Sequence, residues 1–147
     1  MALTVITIMA MVVIAGIGHH YALMALRRAS ARSLPDSGLR PIVVFVGLAF
    51  LHMAEIAAFA ATLSVHSGGE GSGVTGDAFA GSAVDWLYLA ALLFTTLGYA
   101  AFDIAGNLRM IAASGSLLGF MLLTWSATFL FAECQKVWNE PERNDGT

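Results

Sequence analysis

Four apolar stretches divide the chain, and the length of each stretch limits the structure that it can form. Residues 3–26, 41–65 and 108–132 are each long enough to cross the hydrocarbon core of a bilayer as a helix, which needs about 20 residues. The fourth stretch, residues 82–96, is apolar but too short to cross comfortably. The pattern predicts three transmembrane helices and one short helix that is buried or re-entrant.

Polar segments between these stretches complete the organisation of the chain. Pro41 suits the first turn of the second helix, and residues 67–73 are too rich in glycine and polar groups to be anything but a surface loop. The sequence therefore predicts an all-α membrane protein with seven segments: helix 1–26, basic loop 27–40, helix 41–65, loop 66–81, short helix with its following loop 82–103, helix 108–132 and polar tail 133–147.

The composition agrees with a membrane location. Hydrophobic residues make up 58% of the chain and charged residues only 12%, too little charge to cover a soluble domain of this size. The net charge of -3 gives no indication of a nucleic-acid partner, and a single cysteine permits neither an intrachain disulfide nor a zinc cluster. The first apolar stretch is too long for the core of a signal peptide and has no basic residue before it, so a transmembrane helix is expected.

The basic residues predict the orientation. Six of the seven lie on one side of the predicted spans, and Arg109 alone lies on the other: the six are Arg27, Arg28, Arg32 and Arg40 between the first two spans, and Lys136 and Arg143 after the third. Basic loops favour the cytoplasmic side. The N-terminus is therefore expected outside, and the basic loop and the C-terminus in the cytoplasm.

The short apolar stretch carries the most informative chemistry. Ser82 and Asp85 can cap the N-terminus of its helix, and the sequence Thr-Thr-Leu-Gly-Tyr follows at residues 95–99. Non-helical backbone at membrane depth is tolerated only where it lines a cavity or is buried in protein. The negative end of the helix dipole, directed into the membrane interior, would stabilise a dehydrated cation.

The Thr-Thr-Leu-Gly-Tyr sequence resembles the T-x-G-Y-G selectivity filter of potassium channels, whose backbone carbonyls replace the hydration shell of the ion. The chain as a whole is similar to small bacterial proteins of the two-transmembrane potassium-channel family that carry an additional N-terminal helix. The similarity also rests on residues 20–21, 51–56, 106–109, 125–127 and 135–138.

This resemblance implies a homotetramer in the bacterial inner (plasma) membrane, in contact with lipid, with a re-entrant pore helix and filter loop in each subunit. Residues 41–132 would form the pore domain. K⁺ or another monovalent cation would permeate, and no cofactor, no further metal and no enzymatic activity are implied. The filter would comprise Thr95, Thr96, Leu97, Gly98, Tyr99 and Ala100, and the outer mouth Ala101, Phe102 and Asp103.

Two positions depart from the family pattern. Ala100 replaces the second filter glycine and Ala101 replaces the aspartate that follows it. A left-handed backbone costs an L-residue about 1–2 kcal/mol, which four subunits would multiply. Asp103 is two residues away from the missing charge, and Phe102 between them could narrow the entrance. We therefore expect a shortened or widened filter with weak discrimination between potassium and sodium.

Glu55 is the acidic residue deep in a predicted span, and His52 lies one turn before it on the same helical face. The pair either tunes gating or packs against the pore helix as a titratable group, or joins helices as a neutral hydrogen-bonded pair. His19 or His20 could reach Glu55 only if the first two spans pack together. His66 and Glu133 lie at span ends; His66 is expected to be solvated, and Glu133 either forms a ring of charge in a tetramer or is also solvated.

Small residues on the third span allow two interpretations. Gly115 and Gly119 form a small-xxx-small pair, which indicates close helix packing or, alternatively, a hinge at which the pore-lining helix bends.

Two other functions remain open from the sequence. The filter departures are compatible with a non-conducting relative that keeps the channel fold as an interaction or regulatory module. The four histidines suggest a haem- or copper-binding membrane redox subunit, although that interpretation leaves the Thr-Thr-Leu-Gly-Tyr sequence unexplained. A flux assay separates the first from a channel, and an absorption spectrum separates the second.

Overall fold

A computed structural model describes residues 1–34, 38–69, 71–76, 79–97 and 102–139. The structure is predominantly helical. Its elements, in chain order, are α1 (Ala2–Ser33), α2 (Arg40–His66), β1 (Gly73–Thr75), α3 (Ala83–Phe94), β2 (Asp103–Ala105) and α4 (Leu108–Asn139).

Three of these helices are long and apolar enough to cross a membrane: α1, α2 and the Leu108–Trp138 part of α4. The prediction of an all-α membrane protein with three spanning helices is confirmed at this level. Helix α3 has 12 residues. At the usual helical rise it is about 18 Å long, well short of the roughly 30 Å hydrocarbon core.

Two of the long helices continue past the apolar stretches that predicted them. Helix α1 extends through Arg27 to Ser33, and α4 extends through Glu133 to Asn139. Alanine and arginine are good helix formers, and basic side chains near a helix C-terminus interact favourably with its dipole. The apolar pattern marks the part of each helix that is suited to the hydrocarbon core, whereas the helix itself continues until its backbone hydrogen bonds end.

A short antiparallel pair of strands, which the sequence did not predict, connects the two loops beside α3. Val74 of β1 pairs with Ile104 of β2, so the loop after α2 is joined to the segment before α4. The Asn107 N–H also donates to Ser72 Oγ at 3.2 Å. Gly106 supports this close approach, because its φ is +64° and a Cβ there would overlap the backbone of Gly71. The strand pair therefore ties the segment that precedes α3 to the segment that follows it.

The main core lies between α2, α3 and α4. Helix α3 packs against both neighbours and buries Leu89 and Ala90 completely. Helix α1 packs against α2 and α4, and its Leu23 lies with Val44 and Leu48 in a second, smaller apolar cluster. Most other large side chains of α1 are exposed, as expected of a helix that faces lipid.

Gly115 and Gly119 of α4 make room for two aromatic residues of the neighbouring helices. A Cβ at Gly115 would overlap the ring of Phe59 from α2. A Cβ at Gly119 would overlap the carbonyl oxygen and ring of Phe94 from α3. Both positions therefore bring helices close together, which is the arrangement that close packing requires.

We expect Gly115→Ala to destabilise the protein, because the added methyl group meets the Phe59 ring. Overpacking of this kind costs about 1–3 kcal/mol, which outweighs the gain of up to about 1 kcal/mol in helix propensity. Thermal unfolding in mild detergent measures the effect. Gly16→Ala in α1 is the matched control, since nothing lies within 4 Å of its added Cβ. A Gly115→Ala protein as stable as this control would contradict the packing argument.

Candidate functional site

The N-terminus of α3 is fixed by a reciprocal cap between Ser82 and Asp85. Ser82 Oγ accepts from the Asp85 N–H at 3.2 Å, and Asp85 Oδ2 accepts from the Ser82 N–H at 2.9 Å and the Ala80 N–H at 3.1 Å. Hydrogen bonds from Ser82, first from its backbone, hold the pKa of Asp85 below its usual value. The stabilisation is therefore present above the ordinary carboxyl pKa and is lost as pH falls through the lowered pKa.

The C-terminus of α3 ends in a Schellman motif at the first residues of the predicted filter. The Leu97 N–H donates to the Leu92 carbonyl and the Thr96 N–H donates to the Leu93 carbonyl, each at 3.1 Å. Thr96 takes a left-handed φ of 55°. Such a conformation is unfavourable for a β-branched residue, so the surrounding contacts must hold it in place.

The predicted filter and outer mouth fall partly within the structure. Thr95 to Leu97 are described and exposed, while Gly98, Tyr99, Ala100 and Ala101 lie outside the described residues. The backbone geometry expected for those four residues therefore stays a prediction. At the outer mouth, Phe102 packs edge-on against Phe79 and Tyr88, with ring centroids 5.4 and 6.1 Å apart. Asp103 is exposed at the start of β2.

A partly buried carboxylate shared by two imidazoles lies between the long apolar helices. Glu55 Oε1 is 2.7 Å from Nδ1 of His19, and Glu55 Oε2 is 2.8 Å from Nδ1 of His52. His19 is 1% exposed, and the Glu55 side chain is only 11% exposed. Each carboxylate oxygen thus accepts from an Nδ1–H, and the charge of Glu55 is stabilised by protein groups in place of water.

The same network reaches a third helix. Nε2 of His19 lies 3.3 Å from Oγ of buried Ser126 in α4. The His19 ring also lies 5.3 Å from the Trp125 ring and is stacked 5.8 Å from the His52 ring. When Nδ1–H donates to Glu55, a neutral His19 accepts from the Ser126 hydroxyl. This polar junction, consisting of His19, His52, Glu55 and Ser126, therefore joins α1, α2 and α4.

The polar junction lies directly behind the end of α3. The His52 ring is 6.0 Å from the ring of Phe94, the last residue of α3. Phe94 in turn occupies the space over Gly119, and Thr95 follows it in the chain. The junction is therefore placed to hold the point at which the helix changes into the Thr-Thr-Leu-Gly-Tyr segment.

His19 and His20, which the sequence does not distinguish, have different partners in the structure. His19 reaches Glu55, whereas the neighbouring His20 contacts Tyr21 and Trp125 instead. His66, expected to be solvated, is partly buried and makes two polar contacts. Its Nδ1–H donates to the Thr62 carbonyl at 2.9 Å, and its Nε2 lies 3.0 Å from Oγ1 of Thr7. His66 therefore joins α1 to α2 near the other end of the bundle.

A cavity of about 760 Å³ lies between these two connections. Thr7 and His66 line one end, His19 and Glu55 line the other, and apolar residues line the rest, including Met11, Phe59, Phe94 and Leu118. Among the described residues, α1 and α2 make polar contacts with each other only at the two ends of this cavity.

Glu133 forms a second polar cluster at the opposite end from His66. The residue is only 2% exposed, so the expectation of a solvated helix end is wrong. Arg40 Nη2 lies 3.0 Å from Oε2, Arg27 Nε lies 3.6 Å from Oε1, and Lys136 Nζ is paired with Oε1. In the sequence these cations indicate only the orientation of the chain. Their convergence on one acidic residue involves three helices that are distant in sequence, so local charge gives no sign of it.

The redox alternative finds little support in the histidine geometry. Both ring nitrogens of His19 and both of His66 are already in hydrogen-bond contact with protein groups. Within the described ranges, no group of three or more His, Cys, Asp or Glu side chains is arranged to hold a metal ion. Axial ligation by His19 or His66 would first require one of these contacts to break.

In comparisons with known proteins, no family model, no curated protein and no solved structure matches the chain.

Proposed function

We propose that the chain is a subunit of a tetrameric P-loop cation channel that passes monovalent cations with weak discrimination between potassium and sodium. One observation carries the proposal. A short apolar helix, α3, packs between two helices long enough to span a membrane, and it ends directly in Thr-Thr-Leu-Gly-Tyr. In this proposal α3, which is too short to cross the membrane, returns to the side from which it entered, and its following loop lies at membrane depth.

The tetramer follows from what one subunit lacks. Each chain supplies a single filter segment, and one segment cannot surround an ion, whereas four copies about a cyclic axis can. The surfaces that would meet neighbouring copies or lipid are apolar: Leu97 beyond α3, and Leu117, Phe120 and Met121 on α4, are all exposed. These side chains would be buried by assembly in the membrane.

The polar junction has a specific role in this proposal. It fixes α1, α2 and α4 relative to one another at the depth where α3 ends, through hydrogen bonds of 2.7 and 2.8 Å to Glu55. Because His52 lies against Phe94, a change in the hydrogen bonding of Glu55 would be transmitted to Thr95 and Thr96. The junction would therefore influence the inner end of the filter without contacting the ion.

A non-conducting channel-fold module is the second candidate, and one feature of α3 favours it. Near the helix end the Ala91 carbonyl accepts from Thr95, the Leu92 carbonyl from Leu97 and the Leu93 carbonyl from Thr96, so three of the last four carbonyls of α3 are occupied. A helix whose last carbonyls are occupied has less to offer a cation. Together with the alanine at position 100, this arrangement is compatible with a tetramer that passes no ions.

Assembly and flux measured together test the proposal. We expect mass measurement in mild detergent to give a tetramer, because four filter segments are needed to surround an ion. Protein reconstituted into vesicles should pass potassium, sodium and caesium, but not calcium. A stable monomer or dimer would contradict the channel proposal. A tetramer that passes none of these ions would favour the non-conducting module.

Restoring the family pattern should increase potassium preference. In the double variant Ala100→Gly and Ala101→Asp, glycine accepts a left-handed backbone without strain, and the aspartates restore a ring of negative charge. The measurement is the reversal potential in mixed potassium and sodium. The two single variants are the controls, because Ala101→Asp restores charge without relieving the backbone. Strong potassium selectivity already present in the unmodified protein would show that alanine fits this position.

Replacing Glu55 should weaken the junction in a graded way. Glu55→Leu leaves the Nδ1–H groups of His19 and His52 without their acceptor, at about 1–3 kcal/mol for each buried group. Glu55→Gln should be milder: its oxygen accepts from His52, and its amide donates to His19 once that imidazole donates to Ser126 from Nε2. Tetramer stability and the pH dependence of flux measure the effect. Unchanged behaviour in both variants would show that Glu55 is merely tolerated.

A further inference from the structure

Within the described residues, basic side chains outnumber acidic ones at one end of the bundle. We define this basic end by Arg27, Arg28 and Arg32 of α1, Arg40 of α2 and Lys136 of α4. Glu133 is the only acidic residue of this end among the described residues. The described part of this end therefore holds five cations and one carboxylate, while Asp36, Glu140, Glu142, Arg143 and Asp145 lie outside the described residues.

Three of these cations form a defined site, not a diffuse patch. Arg27, Arg40 and Lys136 come from three different helices and converge on the buried carboxylate of Glu133. The Arg27 and Lys136 side chains remain 51% and 40% exposed, so each can contact a second anion while it faces Glu133. Arg40 Nε is buried and has no hydrogen-bond acceptor within the described part of the chain.

The site lies at the depth of lipid head groups. Arg27 directly follows the first apolar stretch, Arg40 directly precedes the second, and Glu133 directly follows the third. Trp138, five residues further along α4, is 66% exposed, as is usual for an aromatic residue at the membrane interface.

Large apolar side chains lie on the membrane side of the site. The exposed ones are Ile42, Val43 and Phe45 on α2 and Phe131 on α4. A ligand with an anionic head and long apolar chains would therefore contact both surfaces, whereas a free anion would use only the cations.

We propose that the basic site formed by Arg27, Arg40 and Lys136 binds the phosphate of an anionic membrane phospholipid. Basic pockets between the ends of transmembrane helices bind anionic head groups, and arginine donates to phosphate oxygens through two parallel N–H groups. The phosphate adds negative charge to a cluster in which three cations share the single carboxylate of Glu133. Because its cationic partners belong to α1, α2 and α4, the lipid cross-links the three helices. This function is independent of whether the protein conducts ions.

The test measures the thermal midpoint of the full-length protein in uncharged detergent, titrated with phosphatidylglycerol or with phosphatidylcholine. We expect phosphatidylglycerol to raise the midpoint by several degrees and phosphatidylcholine to have little effect. The double variant Arg27→Gln and Lys136→Gln keeps the Arg40–Glu133 pair. It should weaken phosphatidylglycerol binding about tenfold or more, given roughly 1 kcal/mol per basic residue near a charged lipid.

The control removes the same number of charges beside the site. Arg28→Gln with Arg32→Gln leaves the Glu133 contacts intact and should weaken binding several-fold less than the first double variant. Lys136→Gln alone provides a milder variant if the double one unfolds. Equal losses in both double variants would overturn the proposal in favour of diffuse surface attraction. So would equal stabilisation by phosphatidylcholine, or by inorganic phosphate at the same concentration, which would indicate a free-anion site.

Discussion

A carboxylate inside an apolar helix is stable only if protein groups replace its water, and at Glu55 those groups are two imidazoles. The 2.7 and 2.8 Å contacts to His19 and His52 fix both oxygens of the carboxylate. One of these partners belongs to α1, and it also reaches Ser126 of α4. Any relative shift of α1, α2 or α4 would therefore leave a polar group unpaired in an apolar environment, where such a group costs several kcal/mol. The packing register of the spanning helices depends on this constraint.

The two polar clusters act at different depths and meet different electrostatic needs. At Glu55, two imidazole N–H groups stabilise one carboxylate in place of water, at 2.7 and 2.8 Å. At Glu133 three cations surround one carboxylate, and the surplus charge is stable because Arg27 and Lys136 are half-exposed at the end of the bundle. The first cluster sets how the helices pack, whereas the second sets how the bundle meets the membrane interface.

Much of the fold was predictable from the sequence because apolar length and capping are local properties. The three spans, the short fourth helix and the Ser82–Asp85 cap all follow from residues that are neighbours in the chain. The strand pair was not predictable, since three-residue strands are too short to give an alternating pattern. The burial of Glu133 and the polar contacts of His66 were also missed. Their partners Thr7 and Arg27 lie on another helix, so local polarity carried no information about them.

The candidate filter depends on packing that lies well away from it. Thr96 holds a left-handed conformation that costs an L-residue about 1–2 kcal/mol, and the two hydrogen bonds of the Schellman motif keep it there. That motif is positioned by Phe94, which fits against α4 only because position 119 has no side chain. Phe94 is also the residue that His52 contacts. The geometry at the start of the Thr-Thr-Leu-Gly-Tyr segment is therefore determined jointly by Gly119 on α4 and by the polar junction, through His52. In the proposed channel, a substitution at either place would alter selectivity without touching the residues that bind the ion.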